Sequence, residues 1–90
     1  MRLLIGTVSA GDRPSTKAHD VEVIEFHARS TNEDPVYVGN SDVTTENGRE
    51  LTPDSIVVIR LADLPTGASI KLNTFYTAGK GKIDWVAIVR

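Results

Sequence analysis

His19 and His27 are the only imidazoles in the chain, and it contains no cysteine. Zinc is held by imidazole and thiolate ligands at close, characteristic spacings. Two histidines with no thiolate to complete the set match none of them. His19 reads as a loop residue and His27 as a solvent-facing strand residue. Without thiols there is no disulfide staple and no cysteine nucleophile. Serine, histidine and aspartate all occur, but no Gly-x-Ser-x-Gly elbow presents a serine to a base. Asp12, Asp20, Asp34, Asp42, Asp54 and Asp63 fall in or beside turn-forming stretches. There a carboxylate accepts local backbone N–H groups, so turn chemistry accounts for them. No Asp-x-Asp-x-Asp-Gly run builds a calcium loop. Gly79-Lys80-Gly81-Lys82 has the look of a phosphate loop, but Tyr76 stands where its first glycine belongs and Ile83 follows Lys82. It reads as a hairpin tip. Nothing in the chain assembles a catalytic, metal or cofactor constellation. Tyr37 and Tyr76, with polar neighbours, are the residues that could form a sugar-stacking platform.

These residues must be positioned by strands. Val, Ile and Thr account for 26 of the 90 residues, against 13 for Leu and Ala. Branching at Cβ favours a pleated surface over a helix. Short apolar runs recur between turn residues: Arg2–Val8, Val21–Ala28, Val36–Val38, Val43–Thr45, Ile56–Leu61, Ala68–Thr77 and Ile83–Val89. In the second run, the slip from Val21/Val23 to Ile24/Phe26 predicts a β-bulge. Asn47-Gly48 predicts a tight hairpin, because that pair tolerates positive φ. A helical turn around Ala62–Leu64 is the one departure from strand character. With no crossover helices, most strand pairs must be antiparallel. The expectation is an all-β fold, a single small antiparallel β-sandwich or jelly-roll-like barrel spanning residues 1–90. Residues 1–20 would form an arm plus a loop.

Ten basic against twelve acidic residues give a net charge of −2, which argues against a nucleic-acid binder and against a polybasic membrane patch. No apolar run approaches the roughly 20 residues of a membrane helix. Two strands are apolar on both faces. Ile56 and Val58 alternate with Val57 and Ile59, and Trp85, Ala87 and Val89 are set against Ile83 and Ile88. Such strands point either to local twist with partial cover by a loop or to a second subunit over one face. Val57, Ile59, Trp85 and Val89 are the candidate interface residues, and a homotrimer is the expected assembly.

One stretch is more particular. Asn32 and Pro35 precede Val36-Tyr37-Val38-Gly39, then Val43-Thr44, Asn47-Gly48 and Leu51-Thr52-Pro53. This pattern resembles small virion accessory proteins of tailed bacteriophages: head decoration or cement proteins, head fibres and tail accessory proteins. It covers residues 21–90, with Trp85 in the closing strand and Asp54 where members often carry Gly. The resemblance implies a non-enzymatic virion protein, made in the host cytoplasm, that binds the major capsid protein on the assembled head and stabilises it. The alternative it implies is a tail or fibre module that binds carbohydrate or another virion protein. Arg2, Leu3, Leu4 and Ile5, with Arg13 and Lys17 of the following loop, are the candidate capsid contacts.

Overall fold

In the computed structural model, which describes residues 1–90, seven strands form two antiparallel sheets with almost no helix. The strands are β1 (Arg2–Ser9), β2 (Val21–Ala28), β3 (Val36–Gly39), β4 (Arg49–Leu51), β5 (Ile56–Arg60), β6 (Tyr76–Gly79) and β7 (Lys82–Val89). Four of them make one sheet in the order β1-β7-β2-β5, and three make the other in the order β4-β3-β6. The two sheets pack as an open sandwich; they do not close into a barrel.

The core lies between the sheets. Ile24, Phe26 and Ala28 of β2 and Ile83, Trp85, Ala87 and Val89 of β7 point inward from the larger sheet. Val36 and Val38 of β3 and Leu51 of β4 meet them from the smaller one. Alternation along each strand sends every second side chain inward. The predicted bulge is present. The β2–β7 register shifts between Val21 and Val23, so Val21 is buried along with Ile24. Phe26 packs on Phe75 with ring centroids 5.3 Å apart at a tilted angle. The single tryptophan, Trp85, lies across Gly6 of β1. A Cβ there would sit 2.7 Å from the indole Nε1, so this approach requires glycine.

Several local expectations are corrected. Residues Arg2–Ser9 are not an arm: all eight pair with β7, from Arg2 opposite Val89 to Ser9 opposite Lys82. Gly79–Lys82 is not a hairpin tip, because β6 and β7 belong to different sheets. It is a corner between sheets, and its glycines adopt φ of +105° and +130° to turn it. Asn47-Gly48 is not a two-residue turn. It ends the long loop between β3 and β4, and Gly48 is needed because a Cβ would come within 2.6 Å of Val43 and 2.9 Å of Tyr37. The Asn47 side chain closes that loop, accepting from the Thr44 N–H (2.8 Å) and donating to the Asp42 carbonyl (3.1 Å). Val43–Thr45 is therefore loop, not strand. Ala68–Thr77 is also not one strand. It bridges Asp20 at Lys71, passes through a 3₁₀ turn at Leu72–Thr74 that buries Leu72, and becomes β6 only at Tyr76.

Candidate functional site

The outer face of the larger sheet is the surface that sets this protein apart from an ordinary half-solvated sandwich. Strand registers place its side chains in three rows. Leu3, Ile88, Val23 and Arg60 form the first. Ile5, Val86, Glu25 and Val58 form the second. Thr7, Asp84, His27 and Ile56 form the third. Seven of these twelve positions are aliphatic, where an exposed antiparallel face normally alternates to polar. Leu3 is 57% exposed, Ile5 70%, Ile56 54% and Val58 36%. No other part of the chain covers them. Scattered apolar surface residues need no explanation, but a contiguous sheet face of them marks a place where something docks.

A polar cluster frames one end of this face. Arg29, just after β2, holds Asp84 by a two-pronged contact, Nε to Oδ2 and Nη2 to Oδ1, both 3.0 Å. The Thr7 hydroxyl donates to the same carboxylate at 2.6 Å. Hydrogen bonds from Arg29 and then Thr7 hold the Asp84 carboxyl below its ordinary pKa, and the Arg29 guanidinium is correspondingly raised. These charges are satisfied by each other, so the cluster is a rim and not a set of free reactive groups. Beside it, His27 Nε2 lies 2.9 Å from Asp54 Oδ1. Asp54 has φ of +69°, the one non-glycine residue in the left-handed region. That conformation is one glycine adopts without steric cost.

The structure brings some of the expected contact residues together and separates others. Leu3 and Ile5 lie side by side on the outer face. Arg2 and Leu4 share β1 but project from its opposite side. Arg13 is spoken for: its guanidinium contacts the Tyr76 hydroxyl and lies 5.1 Å from the ring centroid. Lys17 is exposed on the loop between β1 and β2. The expected oligomer interface is corrected. Trp85 and Val89 are 7% and 0% exposed and belong to the core, while Val57 and Ile59 pack against it from β5. Ile83 shares the inward face of Trp85 instead of opposing it. Alternation counted from Trp85 puts Val86 and Ile88 on the outward face, with Ile56 and Val58 of β5. Val23, Val86, Arg29 and Asp84 were missed altogether, because a face is visible only once register aligns four strands.

Tyr37 and Tyr76 also separate. Tyr76 lies beneath Arg13. The Tyr37 hydroxyl donates to Glu50 Oε2 at 3.1 Å, a bond that raises the phenol above its usual pKa, helped by partial burial. Tyr37 lines an open cleft of about 430 Å³ with Asp34, Pro35, Thr45, Gly79 and Lys80. No three His, Asp or Glu side chains converge as metal ligands. No helix is long and apolar enough to cross a membrane. Comparison with protein families, with curated proteins and with solved structures finds no match.

Proposed function

We propose that this protein is a non-enzymatic virion component that binds the surface of an assembled phage head and reinforces it, with the outer face of the β1-β7-β2-β5 sheet as its binding surface. The observation that carries the reading is that face: Leu3, Ile5, Val86, Ile88, Ile56 and Val58 form one aliphatic surface with no cover from the chain itself. The likeness of Asn32–Pro53 to phage accessory proteins supplies the kind of partner, the major capsid protein.

The mechanism is mass action. A ligand that prefers the assembled lattice shifts the equilibrium toward it. Burial of aliphatic surface supplies roughly 25 cal/mol per Å² of apolar area removed from water, before the costs of association. Copies engaging neighbouring capsomers act at high effective concentration, so no single contact need be strong. The test is to strip the particles of this protein, add it back, and record binding and shell melting. Rebinding that raises the melting temperature supports the reading; shells indifferent to the protein overturn it.

A second reading has its own observation. Tyr37 sits in a cleft with Asp34, Thr45 and Lys80, the mixture of aromatic and polar groups that recognises a sugar ring. In that case the protein is a tail or fibre module, and glycan binding that is lost in Tyr37→Ala is its signature.

A further inference from the structure

Each sheet has two edge strands, and the chain treats them differently. β4 is short, and its Arg49 and Glu50 are charged and exposed. β6 is covered by the segment that follows β1. The Gly11 N–H donates to the Thr77 hydroxyl at 3.1 Å, that hydroxyl donates to the Asp12 carbonyl at 2.5 Å, and Arg13 lies on Tyr76. β5 has five residues, ends on Arg60 and runs into the 3₁₀ turn Leu61–Asp63. These are the usual devices against edge-to-edge pairing: short strands, charges and covering loops. β1 has the least of them. It is eight residues long and carries one charge, Arg2, at its start, with no proline and no bulge.

The main-chain groups of β1 can be assigned to sides. The Ala10 N–H donates to the Gly81 carbonyl at 2.9 Å, which makes Ala10 and Gly81 a hydrogen-bonded pair in the β1–β7 register. Antiparallel ladders alternate, so Leu4, Gly6 and Val8 bond to β7. Leu3, Ile5 and Thr7 therefore turn their N–H and C=O groups away from the sheet. The two most exposed aliphatic side chains of β1 belong to the same residues as these unpaired groups.

We propose that β1 pairs antiparallel with β1 of a second copy of this chain, about a two-fold axis through Leu4. In this register Leu3 lies opposite the partner's Ile5, and Ile5 opposite the partner's Leu3. Both are hydrogen-bonded pairs that exchange N–H···O=C bonds. Leu4 faces its own copy at the axis as the non-hydrogen-bonded pair. Arg2 lies opposite Gly6 of the other copy, so the two arginines sit at opposite ends and no like charges meet. On the outer face Ile88, Leu3, Ile5 and Val86 then run across the axis without a polar break, in both directions. A shift of the axis to Ile5 would instead set Leu3 against Thr7. Self-complementarity is what an isologous two-fold contact requires, and this edge has it. The pairing joins two four-stranded sheets into one of eight strands with a single aliphatic face. It takes the place of the threefold association expected from the sequence, which rested partly on Trp85 and Val89, residues that the fold buries.

The chain has no cysteine, so one introduced thiol reports only on contacts between copies. Across a non-hydrogen-bonded pair, Cα atoms lie about 4.5 Å apart, within disulfide reach. Leu4→Cys is therefore expected to form a disulfide-linked dimer under mild oxidation, while Arg2→Cys, placed opposite glycine, forms one at least tenfold more slowly. Wild-type protein in sedimentation equilibrium is expected to move from 9.8 kDa toward twice that mass across the micromolar range. Ile5→Lys, which charges the edge, is expected to stay monomeric with an unchanged circular dichroism spectrum. A wild-type monomer throughout, or Arg2→Cys linking as fast as Leu4→Cys, overturns the pairing. The shell reading stands apart from it: a monomer that still binds shells refutes only the pairing, and a dimer that does not bind them refutes only the shell reading.

Discussion

Asp54 provides a sharp test of the backbone reasoning. Its φ of +69° puts Cβ in the left-handed region, which costs an L-residue roughly 1–2 kcal/mol relative to glycine. The position is held there because its N–H donates to the Ala28 carbonyl at 2.8 Å and the following Ser55 carbonyl accepts from Ala28 at 3.0 Å. Glycine at this site removes the steric cost but gives the unfolded chain more freedom, which returns about 0.4–1 kcal/mol. It also loses the exposed contact to His27, worth a few tenths of a kcal/mol for a surface pair. The balance for Asp54→Gly is close to neutral or stabilising by about 0.5 kcal/mol. Asp54→Ala loses the same contact and keeps the steric cost, so it falls below wild type. The two variants should therefore differ by about 1 kcal/mol, glycine above alanine, or roughly 4–8 °C in Tm for a domain of this size. Thermal melts followed by circular dichroism at one pH and protein concentration read this directly. An alanine variant that melts as high as the glycine variant refutes the claim that backbone strain governs this position.

Gly6→Ala drives a methyl group to within 2.8 Å of three indole atoms, so overpacking should cost about 1–3 kcal/mol in denaturant unfolding and shift the emission of the single tryptophan. Phe26→Ala removes a fully buried ring in contact with Phe75 and should cost about 3–5 kcal/mol, measured as a lower urea midpoint. The Asp84 carboxyl is depressed by Arg29 and Thr7, and that of Asp20 by its hydrogen bond and charge pairing with Lys71. Because their folded pKa values lie below the unfolded ones, this stabilisation is present in full above the ordinary carboxylate range, near pH 4, and is lost as pH falls through the depressed values. Urea midpoints for wild type should therefore fall on acidification, and Asp84→Asn should flatten that fall. An unchanged acid slope in Asp84→Asn contradicts the assignment.

The β architecture is legible in the sequence because β-branching, alternation and turn residues are local signals. Ile24, Phe26 and Ala28 announce their face, and so does the slip at Val21 that the bulge produces. What the sequence does not carry is which strands neighbour which. Gly79–Lys82 looks like a hairpin because its residues suit any sharp reversal, and only topology shows that it changes sheets. Two-sided apolar strands are visible in the sequence, but which side faces inward is not: Val57, Ile59, Trp85 and Val89 all turn to the core. The largest aromatic side chain has the most to gain from burial, so it goes to the core and sends Val86 and Ile88 outward. The Arg29–Asp84–Thr7 cluster joins β1, β7 and the residue that follows β2, far apart in sequence, and no local spacing could reveal it. Gly48 was read through its conformational freedom, whereas its role is to let Val43 and Tyr37 pack closely.

The central claim is that the outer sheet face binds an assembled shell, and one comparison bears on it most directly. Labelled wild-type protein and a Val58→Lys variant are added in parallel to phage heads stripped of this protein, and bound copies per head are counted. Val58 is exposed on β5, away from the β1 edge, so its replacement leaves the fold and the proposed pairing intact. Wild-type protein should saturate the heads and raise their melting temperature, while Val58→Lys should bind at least tenfold more weakly and leave the melt unchanged. Equal binding of the two proteins, or binding of neither, contradicts the account.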